Sequence, residues 1–131
     1  MAFWRTYYHL VWATKNRQPL ITPAIEAQLF PRIVHKAEQI GVTVYAINGW
    51  TDHIPLVVSI PPKLSVAEVV KDLKGVSSRS MNVQAQAEFY AVPHFNWQEG
   101  YGVLTVGKQH YPLAVEYVEH RSAVDHAGFE F

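Results

Sequence analysis

The sequence predicts one α+β domain: an antiparallel sheet with helices packed on it, ferredoxin-like or RRM-like, in the order βαββαβα. Three observations carry that prediction. The chain has 131 residues, enough for one core and too few for two ordinary domains. Short β-rich runs alternate with stretches of helical periodicity. Nearly half of the chain is apolar (49%), which favours a packed core over disorder.

Residues 3–14 read as the first strand. Phe3, Trp4, Thr6, Tyr7, Tyr8, Val11 and Trp12 are aromatic or β-branched, and Lys15-Asn16-Arg17-Gln18-Pro19 ends the run. Thr22 then reads as an N-cap with Pro23 in the first helical position. Ile25, Leu29, Ile33, Ala37 and Ile40 follow at helical spacing until Gly41, and Pro31 inside that pattern predicts a kink or a split-off first turn. A second strand covers residues 42–48, and Gly49-Trp50-Thr51-Asp52 turns into a third over 53–60. In that third strand Ile54, Leu56, Val58 and Ile60 form an apolar face, while His53, Pro55, Val57 and Ser59 point the other way. Pro55 lacks a backbone donor, which predicts an edge strand or a bulge there.

Ser65-Val66-Ala67-Glu68 is a capping box, and Val66, Val69, Val70 and Leu73 give the helix behind it a buried stripe. Its other side carries Lys71, Lys74, Ser77, Ser78 and Arg79. Residues 88–101 read as irregular and rich in aromatics, and residues 102–106 as the fourth strand. A last helix runs from Tyr111-Pro112 to about residue 126, with Leu113, Tyr117, His120, Arg121 and Val124 on one face.

Zero cysteines remove disulfide scaffolds, zinc-thiolate sites and cysteine nucleophiles together. No apolar run is long enough to cross a bilayer and no secretory signal is visible, so the expectation is a cytoplasmic protein with no membrane partner. The formal net charge is zero, yet it is unevenly spread. Residues 1–36 carry a net +4, residues 63–79 a net +2 and residues 80–131 a net −4. A folded chain can therefore present a basic face to phosphates, or these blocks are ordinary solvated surface.

Of the seven histidines, five have no partner at a metal-ligand interval. His53 and Tyr117 gain meaning only together. Trp50-Thr51-Asp52-His53-Ile54-Pro55-Leu56-Val57-Val58-Ser59-Ile60-Pro61-Pro62 resembles the signature strand of the HUH single-tyrosine transposases of small bacterial insertion sequences, the REP-associated tyrosine transposases among them. The likeness extends along almost the whole chain. Tyr8-His9-Leu10-Val11-Trp12-Ala13-Thr14-Lys15 is similar to that family's opening strand, and Lys71-Asp72-Leu73-Lys74-Gly75-Val76-Ser77-Ser78-Arg79 to its DNA-facing helix. Trp97-Gln98-Glu99-Gly100-Tyr101-Gly102 leads into its fourth strand, and Glu116-Tyr117-Val118-Glu119 matches its catalytic helix.

The resemblance implies a homodimeric transposase that binds hairpin or single-stranded DNA and cuts and rejoins it through a 5′-phosphotyrosine, with Tyr117 as nucleophile. It implies Mg²⁺ or Mn²⁺, held by a histidine pair on the strand and a side chain one turn after the tyrosine, commonly glutamine. The dimer of that family often presents the tyrosine helix of one subunit to the metal site of the other. Lys71, Lys74, Ser77, Ser78 and Arg79 become the DNA-binding candidates, by contacts that position the strand rather than read it.

This chain departs from the pattern twice. Pro55 stands where the second histidine belongs, and Arg121 where the glutamine belongs. Only His53 remains of the usual ligands. His120 lies near Tyr117 on the helix and is the other metal candidate, with Asp52 or Glu119 as oxygen donors. Alternatively Arg121 contacts the phosphate directly as a DNA-binding residue, or the site has decayed and the fold binds DNA without chemistry. By itself a tyrosine between Leu113 and Val124 is ordinarily a core residue with one hydrogen bond. A third class, an RRM-like fold that binds RNA or a small ligand, lacks any RNP-type motif.

Overall fold

A computed structural model describes residues 4–87 and 95–120. Its elements are β1 (Tyr7–Ala13), a 3₁₀ turn (Lys15–Arg17), α1 (Pro23–Gln39), β2 (Thr43–Ile47), β3 (His53–Ser59), α2 (Val66–Ala87), β4 (Gly102–Val106) and α3 (Tyr111–Glu119). The four strands form one antiparallel sheet in the order β2-β3-β1-β4. This is the predicted α+β class and element order.

Period-2 alternation divides the sheet into two faces. Leu10 and Trp12 of β1 and Ile54, Leu56 and Val58 of β3 pack with Leu29, Ile33 and Ala37 of α1 and Val69, Val70 and Leu73 of α2. Trp12 is wholly buried there and meets Trp97 edge to face at 6.1 Å between ring centres. The opposite face is covered by α3, where Val118 packs on Ala46 and Val57, flanked by Ala114, Val115 and Tyr117. The buried side of α3 therefore differs from the stripe that includes Leu113, which is 64% exposed.

Local signals explain the element boundaries. Thr22 Oγ1 accepts from the Ile25 amide at 3.2 Å, and Gly41 ends α1 at φ +87°, a region that favours glycine. Ser65 Oγ accepts from the Glu68 amide at 3.1 Å to open α2. The helix α1 continues through Pro31. Pro31 lies on the exposed side, and the Ala27 carbonyl it cannot serve is on a residue open to water.

Pro55 corrects one expectation. Its strand is interior, between β2 and β1. The Pro55 carbonyl accepts from the Asn48 amide at 3.2 Å, so its missing N–H also points toward β2. The last β2–β3 partners are Ile47 and Leu56, so the absent donor falls where the ladder stops. The register shift in this pair lies further along, between Val44 and Ala46.

Candidate functional site

The register sets which side chains share the α3 face. Ala13 pairs with His53, Val11 with Pro55 and His9 with Val57. His53 is 4% exposed and its Nδ1 lies 2.8 Å from Asp52 Oδ1. The other carboxylate oxygen, Oδ2, accepts from Arg17 Nε at 3.0 Å. Asp52 thus joins a guanidinium to an imidazole. Burial alone would raise its carboxyl pKa, but the hydrogen bonds from His53 and Arg17, with Arg17's charge, outweigh that and hold it below the ordinary value.

Arg17 reaches Asp52 from an unusual backbone. Asn16 and Arg17 both have left-handed φ, 56° and 54°, a conformation that costs a non-glycine residue about 1 kcal/mol. The turn is tied down by the Arg17 amide on Thr14 O (3.0 Å), the Lys15 amide on Asn96 O (2.9 Å) and Thr14 Oγ1 on Gln18 O (2.7 Å). Trp50 leans on His53 with ring centres 6.3 Å apart.

Tyr117 sits on the same sheet face but elsewhere. Its ring meets that of the buried His9 edge to face at 5.8 Å. The C-terminal turn of α3 is held by Asn48, whose Nδ2 donates to Val118 O at 2.8 Å and Glu119 O at 3.1 Å. At the start of the same helix Tyr111 stacks on Tyr7 at 4.3 Å. His9 and Ala13 are four residues apart along β1, so the Tyr117 contact and His53 are separated by roughly 13 Å along the strand.

Against a divalent ion, the donor set is incomplete. A histidine with Nδ1 tied to a carboxylate is oriented as a ligand. Pro55 brings no donor, and His120, 76% exposed at the end of α3, lies 4.0 Å from Glu116. Among the described residues no group of three His, Cys, Asp or Glu is placed to hold a metal ion. Among the described residues the donors do not make a complete site for Mg²⁺ or Mn²⁺, and Arg121 lies outside them.

The candidates on α2 separate into two sets. Lys71 and Arg79 are exposed and Ser78 is half-buried, on the outer side. Lys74 instead donates to Gln98 O (2.8 Å) and Gly100 O (2.7 Å), and desolvation lowers its pKa. Ser77 is fully buried; its Oγ donates to Leu73 O at 2.6 Å and accepts from Trp97 Nε1 at 3.0 Å. These two side chains staple the segment before β4 onto α2 rather than face outward. Sequence reasoning passed over Arg17, His9 and Asn48. Arg17 left a signal as a cation in the turn after the strand that pairs with His53, and His9 by alternating with Leu10 and Trp12 along that strand.

The sequence profile described as "Transposase IS200 like" matches residues 2–121. The ISDra2 transposase TnpA of Deinococcus radiodurans is 28% identical over 120 residues, spanning 86% of this chain and 81% of that protein. The transposase for insertion sequence element IS200 of Salmonella typhimurium is 29% identical over 126 residues, spanning 95% and 82%. Among solved structures, a Deinococcus radiodurans chain assigned as a transposase superposes with TM-score 0.71 at 26% identity, covering 94% of this chain and 96% of that one. A REP-associated tyrosine transposase bound to a REP hairpin superposes with TM-score 0.67, covering 98% and 76%; at 12% identity it shows the fold.

Proposed function

Because the chain belongs to the IS200-like transposase family, we propose that it binds hairpin or single-stranded DNA at the ends of its element and cleaves and rejoins it through Tyr117. The phenol oxygen of Tyr117 attacks phosphorus, the bond to the 3′ oxygen breaks, and a 3′ hydroxyl leaves. The phosphotyrosine link conserves the bond energy, so a 3′ hydroxyl attacking it reseals the strand without ATP. Lys71, Ser78 and Arg79 on the outer side of α2 are the proposed DNA contacts, with Arg121 added by its place in the family pattern. A DNA hairpin is the ligand of the REP-associated structural neighbour, which supports that substrate class.

One observation carries the reading: His53 and Tyr117 belong to the same sheet face but are centred on register positions four residues apart. The Tyr117 ring rests on His9 rather than against its own His53. This supports a homodimer in which the tyrosine helix of one subunit serves the His53 of the other. The outer strand β4, with Val103 and Leu104 exposed, leaves an apolar sheet edge for such pairing. A mixing experiment tests it. Tyr117→Phe and His53→Ala proteins, each inert alone, should together form a covalent adduct with a labelled single strand copied from the flanking DNA. An inert mixture beside an active wild type would exclude the shared site.

Pro55 favours a second reading, in which the fold and dimer are kept for DNA binding with little chemistry. The incomplete donor set around His53 supports that reading.

A further inference from the structure

Among the described residues the donors near His53 are too few to chelate a divalent ion, so charge for a phosphate bound there would have to come from another group. We propose that Arg17, seated against Asp52 and His53, is a phosphodiester-binding residue that supplies there the positive charge a chelated ion would otherwise bring. The inference deepens the proposed function and rests on it for bringing DNA to this end of the sheet.

Three observations lead to Arg17. Its Nε is fixed on Asp52 Oδ2 at 3.0 Å, and the same carboxylate holds His53 Nδ1 at 2.8 Å, so cation and imidazole are set side by side by one group. The Arg17 side chain is 43% exposed while His53 is buried, so the guanidinium is open to solvent where the ring is not. A planar guanidinium oriented in this way matches the oxygens of a phosphodiester better than a point charge does.

Backbone strain supplies the third observation. Arg17 and Asn16 are both left-handed, and neither is glycine. An exposed ion pair returns no more stability than such a backbone costs, so the pairing with Asp52 does not by itself account for the arrangement. Left-handed non-glycine residues persist only where surrounding contacts hold them, as the Thr14 and Asn96 bonds do here, and such residues cluster at ligand clamps and active sites. Lys15, exposed in the same turn, adds to the local positive charge.

The test is binding of a fluorescein-labelled single strand copied from the DNA flanking the gene, followed by anisotropy over a range of salt, in EDTA and in Mn²⁺. Wild-type affinity should agree within about twofold between EDTA and Mn²⁺, since the contact needs no ion. Arg17→Ala should bind about tenfold more weakly, with the salt slope shallower by about one. Arg17→Lys should regain the slope and only part of the affinity. Thermal unfolding of both variants separates lost contact from lost fold, and Arg17→Lys keeps the charge if Arg17→Ala does not fold. Wild-type affinity and slope in a folded Arg17→Ala, or binding that requires Mn²⁺, would overturn the proposal. If no protein forms an adduct but binding still depends on Arg17, the cleavage reading fails and this one stands.

Discussion

The ring of Tyr117 lies 5.8 Å from that of His9, a residue buried in β1. This contact fixes where the proposed nucleophile rests when α3 is docked on its own sheet. Asn48 holds the same C-terminal turn of α3 by donating to the carbonyls of Val118 and Glu119. Asn48→Ala should therefore loosen α3 more than the sheet. The expected result is faster hydrogen exchange at α3 amides, with a global loss of about 1–2 kcal/mol. Unchanged α3 protection would show that Val118 packing alone holds the helix.

The two sets of α2 residues predict opposite behaviour. Lys74→Ala and Ser77→Val should each lower stability by about 1–3 kcal/mol, because carbonyls of residues 98 and 100, or the Trp97 indole N–H, lose their partners. Lys71→Ala and Arg79→Ala should leave unfolding within about 0.5 kcal/mol of wild type and weaken DNA binding in a salt-dependent manner. Denaturant melts and anisotropy on the same four variants separate the sets.

Asp52 gives a pH prediction with a definite sign. Its folded pKa lies below the ordinary value of 3.8, so the unfolded chain binds the proton first. The stabilisation is present above that ordinary value and is lost as pH falls through the depressed folded one. Wild type and Asp52→Asn should differ in stability at neutral pH, and their unfolding midpoints should converge as the solution is acidified below about pH 4. A constant gap down to pH 2 would contradict the assignment.

Pro55 and Arg121 are the two departures from the family pattern. If the wild-type protein binds DNA but forms no adduct, Pro55→His with Arg121→Gln should restore adduct formation in Mn²⁺. An inert double variant that still folds and binds DNA would mean that these positions are not the cause of the loss.

Much of this fold was legible because its signals are local. The Thr22 and Ser65 caps, the Gly41 stop and the alternation of β3 each act within a few residues, and each is realised. The two faces of β3 also placed His53 opposite the core. What was not legible depends on contacts between distant segments. The side of α3 that packs is chosen by Ala46 and Val57, which no helical periodicity in α3 reveals. Lys74 reads as a solvated cation until the carbonyls of residues 98 and 100 arrive beside it. The Arg17–Asp52 pair spans 35 residues and needs a left-handed turn that the sequence does not announce. The missing donor of Pro55 is visible in the sequence and points to an edge or a bulge, whereas the end of the β2 ladder is not visible there.

The most direct measurement is a denaturing gel of the protein incubated with labelled single strands from the DNA flanking its gene, with Tyr117→Phe beside it. A covalent adduct in the wild type that disappears in Tyr117→Phe is the predicted result. An adduct that persists in Tyr117→Phe, or its absence under conditions of tight, salt-sensitive binding, would contradict Tyr117 as the nucleophile of this protein.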